Sequence, residues 1–102
     1  MVEYGNFHLT HIGTYTADTT ITDEGIVGVD TSGGVVTVTI ASSVINSGAT
    51  LIIQDEGGNA GTDAITIATG GSENINGSAT LQITSNYGGF VVESDGSNLF
   101  AH

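Results

Sequence analysis

The chain has 102 residues, 11 Asp and Glu, no Lys or Arg, and a formal charge of −11. Ordinary composition would supply about a dozen basic side chains at this length, so their absence is a selected property. It removes ion pairing to phosphate and sets the chain against anionic lipid surfaces, which argues against nucleic acid and membrane as partners, and the absence of Cys removes disulfides and thiol chemistry.

Length indicates one domain. The first 18 residues stand apart from the rest. Tyr4, Phe7 and Tyr15 are half of the aromatic residues, and His8 and His11 are two of the three histidines. Residues 1–18 are read as a docking segment or an extra strand, with Tyr4, Phe7 and Tyr15 as the docking side chains; residues 19–102 are read as a β-rich module. The opening Met-Val-Glu-Tyr-Gly-Asn-Phe-His has neither a basic region nor a long apolar run, so no secretory signal is expected. No stretch approaches the roughly 18 apolar residues of a membrane span.

Val and Ile together number 20 against 4 Leu, and Thr adds 15. β-branched side chains fit a pleated surface and lose rotamer freedom in a helix. Strands are expected at Thr19–Thr22 and Ile26–Val29, on either side of an Asp23-Glu24-Gly25 turn. Val35–Ile40 is the clearest strand, with Val36, Val38 and Ile40 on one face and Thr37 and Thr39 on the other. At most one helical turn is expected, over Ala41–Asn46. Further strands follow at Thr50–Gln54, at Ala64–Ala68 with Ile65 and Ile67 inward, and at Thr80–Thr84 with Leu81 and Ile83 inward. Phe90–Glu93 and Asn98–Ala101 are expected to form a closing hairpin. Asn76-Gly77 and Asp95-Gly96 are read as tight turns, since a type I′ turn needs positive φ at both central positions. Recurrence at intervals of about ten residues predicts an all-β fold, a compact antiparallel β-sandwich or barrel-like module. Thr-lined faces without Lys or Pro guard sheet edges poorly, so the module is expected to be completed by homo-oligomerisation.

Catalytic signals are weak, and no enzyme is expected. There is no Gly-x-Ser-x-Gly elbow and no Lys to act as a base. Asp23-Glu24 and Asp55-Glu56 are adjacent pairs, and on a strand neighbours point to opposite faces. No cofactor is expected beyond non-specific or structural cations, for which His8, His11, Asp55, Asp63 and Asp95 are the candidates. His8 and His11 would share a face only on a helix, which Gly5, Thr10 and Gly13 argue against, leaving a ring of symmetry-related histidines as the metal alternative. The Asp55–Asp63 loop and the Glu93–Asn98 turn have oxygen-rich chemistry without the EF-hand pattern, and are read as solvated turns. Tyr87, Phe90 and Phe100 are read as packing residues of the last hairpin.

The order of segments carries a resemblance. Thr14-Tyr15-Thr16-Ala17-Asp18 leads to Val29-Asp30-Thr31-Ser32-Gly33-Gly34-Val35-Val36-Thr37-Val38-Thr39-Ile40. Then come Leu51-Ile52-Ile53-Gln54-Asp55, Ala64-Ile65-Thr66-Ile67 and Glu73-Asn74-Ile75-Asn76-Gly77. The chain closes with Tyr87-Gly88-Gly89-Phe90-Val91-Val92-Glu93-Ser94-Asp95-Gly96-Ser97-Asn98. Over roughly residues 14–100 this resembles a small all-β module of tailed-phage and archaeal-virus fibre, turret and head-decoration proteins. Such modules often close with a Ser-Asp-Gly-Thr-Asn-Trp-like hairpin. Here Leu99 stands where an aromatic is usual, and Ala41 follows Ile40 where a Pro commonly ends that strand. The resemblance implies a virion component, assembled in the host cytoplasm on a capsid or tail protein. It implies a homo-oligomer, a trimer in preference to a pentamer or hexamer, and supplies no catalytic residues.

Charge adds a second, independent expectation. Unpaired carboxylates on a small body repel one another, and screening relieves this as the Debye length falls to about 3 Å at 1 M salt. The composition is therefore read as that of a halophile-type protein, with an acidic extracellular domain as the ordinary alternative. Together these readings predict a virion structural protein of a virus with a halophilic, archaeal host. The alternatives are a host-receptor or glycan-binding adhesion module on the same scaffold, and a haloarchaeal surface structural domain.

Overall fold

The computed structural model describes residues 9–102. Among the described residues nine strands and one short helix follow in chain order: β1 His11–Tyr15, β2 Thr19–Ile21, β3 Gly25–Val29, β4 Val36–Ile40, α1 Ser42–Asn46, β5 Thr50–Asp55, β6 Ile65–Thr69, β7 Thr80–Ile83, β8 Gly89–Ser94 and β9 Leu99–Ala101. They form two sheets, of order β1-β3-β5-β8-β9 and β2-β4-β6-β7. The all-β expectation holds, and the strand positions match the sequence reading to within a residue or two.

Pairing direction does not match. The first six strands alternate between the sheets, so each returns parallel to the strand two before it: β1 with β3, β2 with β4, β3 with β5 and β4 with β6. Only β5–β8, β6–β7 and β8–β9 are antiparallel. The sheets are thus mixed and open, not an antiparallel sandwich and not a barrel. The reason lies in the connections. Asp23-Glu24 does not fold β2 back onto β3 as a hairpin; it carries the chain across to the opposite sheet, and β2 serves as the crossover that a parallel β1–β3 pair requires.

Alternation along each strand sets the core. Val27, Val29, Leu51, Ile53, Val92 and Leu99 face inward from the larger sheet; Ile21, Val36, Val38, Ile40, Ile65, Ile67 and Ile83 face them from the smaller one, all at most 2% exposed. Val44 and Ile45 of α1 bury at one end. Helix α1 is limited to five residues because Gly48, at φ 73°, ends it. Ala41, its N-cap, donates its N–H to Ile21 O at 3.0 Å, a bond that a proline there would lack.

The two tight turns differ. Asn76 (φ 51°) and Gly77 (φ 82°) both take the left-handed values of a type I′ turn. At Asp95-Gly96 only Gly96 does (φ 95°), because the Asp95 carboxylate accepts the N–H groups of Ser97 and Asn98 and so builds a longer turn. The Asn76 turn also guards an edge. Leu99 donates to Asn74 O and accepts from Asn76 N, while the Asn76 side chain brackets both backbone groups of Ala101. Residues 74–76 therefore run along β9 as a partial extra strand.

Candidate functional site

The crossover loops after β3, β5 and β7 gather at one end, and Asp55 holds them together. It closes β5 on the inward side, after Leu51 and Ile53, and is 3% exposed. Its Oδ1 accepts Gly58 N at 3.1 Å; its Oδ2 accepts Ala60 N at 3.1 Å and Tyr87 N at 2.9 Å. Its own N–H donates to Gly88 O. Asp55 is thus no solvated turn residue. A carboxylate spent on three backbone donors is a structural clamp. Around it, Asn59 Nδ2 donates to Thr31 O and to Asp63 Oδ2, and Gly61 N donates to Asn86 Oδ1. Asp63 is engaged in this way, and Asp95 in its own turn.

The clamp has a visible consequence at Tyr87. That residue sits at φ 59°, a left-handed value that an aromatic residue rarely adopts, with 73% of its surface exposed. Its ring lies over Gly58, where a Cβ would come within 2.4 Å of it. Tyr87 is therefore displayed and not packed into the last hairpin, because its N–H is committed to Asp55. Phe100 is also half exposed, since Leu99 and Ala101 take the inward positions of β9; only Phe90 of the three packs against the core.

The outer face of the larger sheet carries a second constellation. Register aligns His11, Ile26, Ile52 and Val91 across β1, β3, β5 and β8, and Val91 exchanges backbone hydrogen bonds with His102. Ile26, Ile52 and Val91 are half-buried, and a histidine closes the row at each end. His11 Nε2 lies 2.9 Å from Glu56 Oε2, and His102 Nε2 lies 2.5 Å from Glu93 Oε1. Glu56 also accepts from Thr14 Oγ1 at 2.6 Å and Gln54 Nε2 at 2.9 Å. Its carboxylate folds over Gly28, where a Cβ would meet it at 2.0 Å, so a larger residue at 28 would push the carboxylate off this seat. Asp55 and Glu56 point to opposite faces, as neighbours on a strand do.

Burial acts to raise the Glu56 pKa, but hydrogen bonds from Thr14, Gln54 and His11, with the His11 charge, together hold it below the usual glutamate value. A carboxyl whose folded pKa is depressed contributes stability at neutral pH, and loses it as pH falls through the folded value. Glu56→Gln should therefore flatten part of the acid limb of the stability curve, read by urea unfolding at fixed high salt between neutrality and about pH 3. An unchanged acid limb would show that the three donors do not favour the ionised form.

The outer face of the smaller sheet is different again. Thr20, Thr39, Ala68 and Thr80 form one row, and Thr37, Thr66 and Gln82 another. Among the described residues its strands carry no charged side chain, and the Asp18 carboxylate beside them accepts Thr37 N at 2.8 Å. Among the described residues no three His, Asp or Glu side chains converge as a metal site. His11 is engaged with Glu56. His8, Tyr4 and Phe7 lie outside the described residues; Tyr15 packs partly buried against the core from β1. At the opposite end an open groove of about 320 Å³ is lined by residues that include Asp23, Glu24, Ser43 and Ser47. It brings together no nucleophile and histidine base.

No protein-family model matches the chain, and no curated protein matches it.

Proposed function

We propose that the chain is a virion structural protein, of the capsid-decoration, turret or fibre type, from a virus of a halophilic archaeal host. Its work is association without turnover: a homo-oligomer, a trimer by the resemblance, seated on a capsid or tail protein after assembly in the host cytoplasm. The observation that supports this most is the partition of charge on an all-β body. The described carboxylates lie in the loops, are buried, or are paired to histidine, while the strand faces offer hydroxyl and β-branched surface. Such a body repels phosphate ligands, and its strand faces gain from contact with other β-rich subunits. The protein should copurify with virus particles at a fixed stoichiometry and should not bind host cells when isolated. Its absence from purified particles would overturn the reading.

Tyr87 favours a second reading. An aromatic residue with a left-handed backbone at a loop tip, next in sequence to Asn86 and with its ring over Gly58, is a surface that a sugar or receptor could stack upon. In that case the isolated protein should bind host cells, and Tyr87→Ala should abolish binding while leaving the fold intact.

A further inference from the structure

We propose that a second copy of this chain docks on the outer face of the five-stranded sheet, over Ile26, Ile52 and Val91. This rests on the assembly reading above only in that copies of the chain associate; a contact between two copies of one face is two-fold and stands in place of the trimer. The argument begins with repulsion. Two copies, each carrying −11, approach at a cost wherever bare carboxylates meet. Asp18, Asp23, Glu24, Asp30, Asp63, Glu73 and Asp95 lie in the connections outside the strands, so contact through either end of the molecule sets like charges together. That leaves the two sheet faces.

The smaller sheet offers mainly Thr hydroxyls and Gln82, whose Nε2 already donates to Thr66 Oγ1, with Val35 exposed just before β4. The larger sheet offers an apolar row of three β-branched side chains, extended by Phe100, which is 50% exposed and lies beside Glu93 in register. Burial of such surface drives association, and it does so without direction, so a copy of the same face is an adequate partner. The two carboxylates on this face, Glu56 and Glu93, are the two bound by histidine among the described residues. A basic partner would find its attraction at the loops and not here. A like-charged one finds here the face whose carboxylates already have partners.

The chain is free of cysteine, which allows a direct test. Oligomeric state is measured by sedimentation at molar salt for the full chain, for Ile52→Glu and for Thr39→Glu on the hydroxyl face. The expected result is an oligomer for the full chain and for Thr39→Glu, with association weakened roughly 100-fold or more in Ile52→Glu, which shifts it toward monomer. Ile52 points outward, so the variant should keep its circular dichroism. Should it not fold, Ile52→Cys replaces it: mild oxidation should link chains through Cys at 52 and not through Thr39→Cys. An oligomer unaffected by Ile52→Glu, or linked only through position 39, overturns the surface and leaves the assembly reading standing. A full chain that is monomeric at every concentration overturns both.

Discussion

Asp55→Ala is expected to destabilise the fold by about 4 kcal/mol, since hydrogen bonds to a charged group contribute roughly 1.5–3 kcal/mol each and orphaned donors cost more. The carboxylate serves Gly58, Ala60 and Tyr87, so its loss leaves three backbone N–H groups without partners at the meeting point of three loops. The two donors closest to solvent can recruit water, which keeps the loss below a simple sum. Set against a total stability of about 5–15 kcal/mol, this is a substantial part of what holds a chain of this size. Asp55→Asn should cost less, about 2 kcal/mol, because the amide oxygen can still accept while its NH2 faces one donor that it cannot serve. Urea unfolding at constant salt reads both. A loss for Asp55→Ala within about 0.5 kcal/mol of a surface control would show that the clamp is dispensable. Tyr87 gives a second readout: without Asp55 its N–H has no reason to hold φ at 59°, so the ring should change its environment in near-ultraviolet circular dichroism.

Asp55 also marks what was legible in the sequence and what was not. Val36-Thr37-Val38-Thr39-Ile40 announces a strand and its buried face, because a period of two is a local property of side chains. The same parity runs through Leu51, Ile53 and Asp55, and that was the available sign that Asp55 points inward. The following Glu-Gly-Gly-Asn masked it, since those residues together look like a solvated turn. Pairing direction was not legible at all. A strand that hops to the opposite sheet and one that folds back in a hairpin bury the same alternate residues, so β2 and β3 look identical in either topology. The turn before Gly25 does not decide between them, because three residues suffice for both. The histidine-bracketed row was hidden for a related reason. His11, Ile26, Ile52, Val91 and His102 are scattered over the whole chain; the parallel register of β1, β3 and β5 sets the first three in line, and the antiparallel β5–β8 pair adds Val91.

Transfer from molar salt to dilute buffer is expected to lower the unfolding midpoint by about 20 °C or more, following a loss on the order of 5 kcal/mol. The estimate comes from charge and size. With a radius of gyration of 13.0 Å, carboxylates on this body sit about 20 Å apart on average, and each pair then costs roughly 0.2 kcal/mol in unscreened water. Unfolding to a radius of about 30 Å relieves more than half of that repulsion, and no Lys or Arg offsets any of it. At about 0.01 M salt the Debye length is about 30 Å, comparable to the molecule's dimensions of 41 × 32 × 20 Å, so every carboxylate acts on every other; at about 1 M it is about 3 Å, and only neighbours interact. Calorimetry across this range in sodium chloride tests the prediction, and two controls separate its causes. Sucrose strengthens burial without screening, so it should recover little of the loss if repulsion dominates. Sodium chloride should act mostly below a few tenths molar if screening is the cause, and should keep adding stability into the molar range if salting-out of the Val and Ile core contributes as well. A midpoint indifferent to salt would mean that the missing cations are not an adaptation to brine, and the halophilic assignment would fall while the strand architecture stayed as it is.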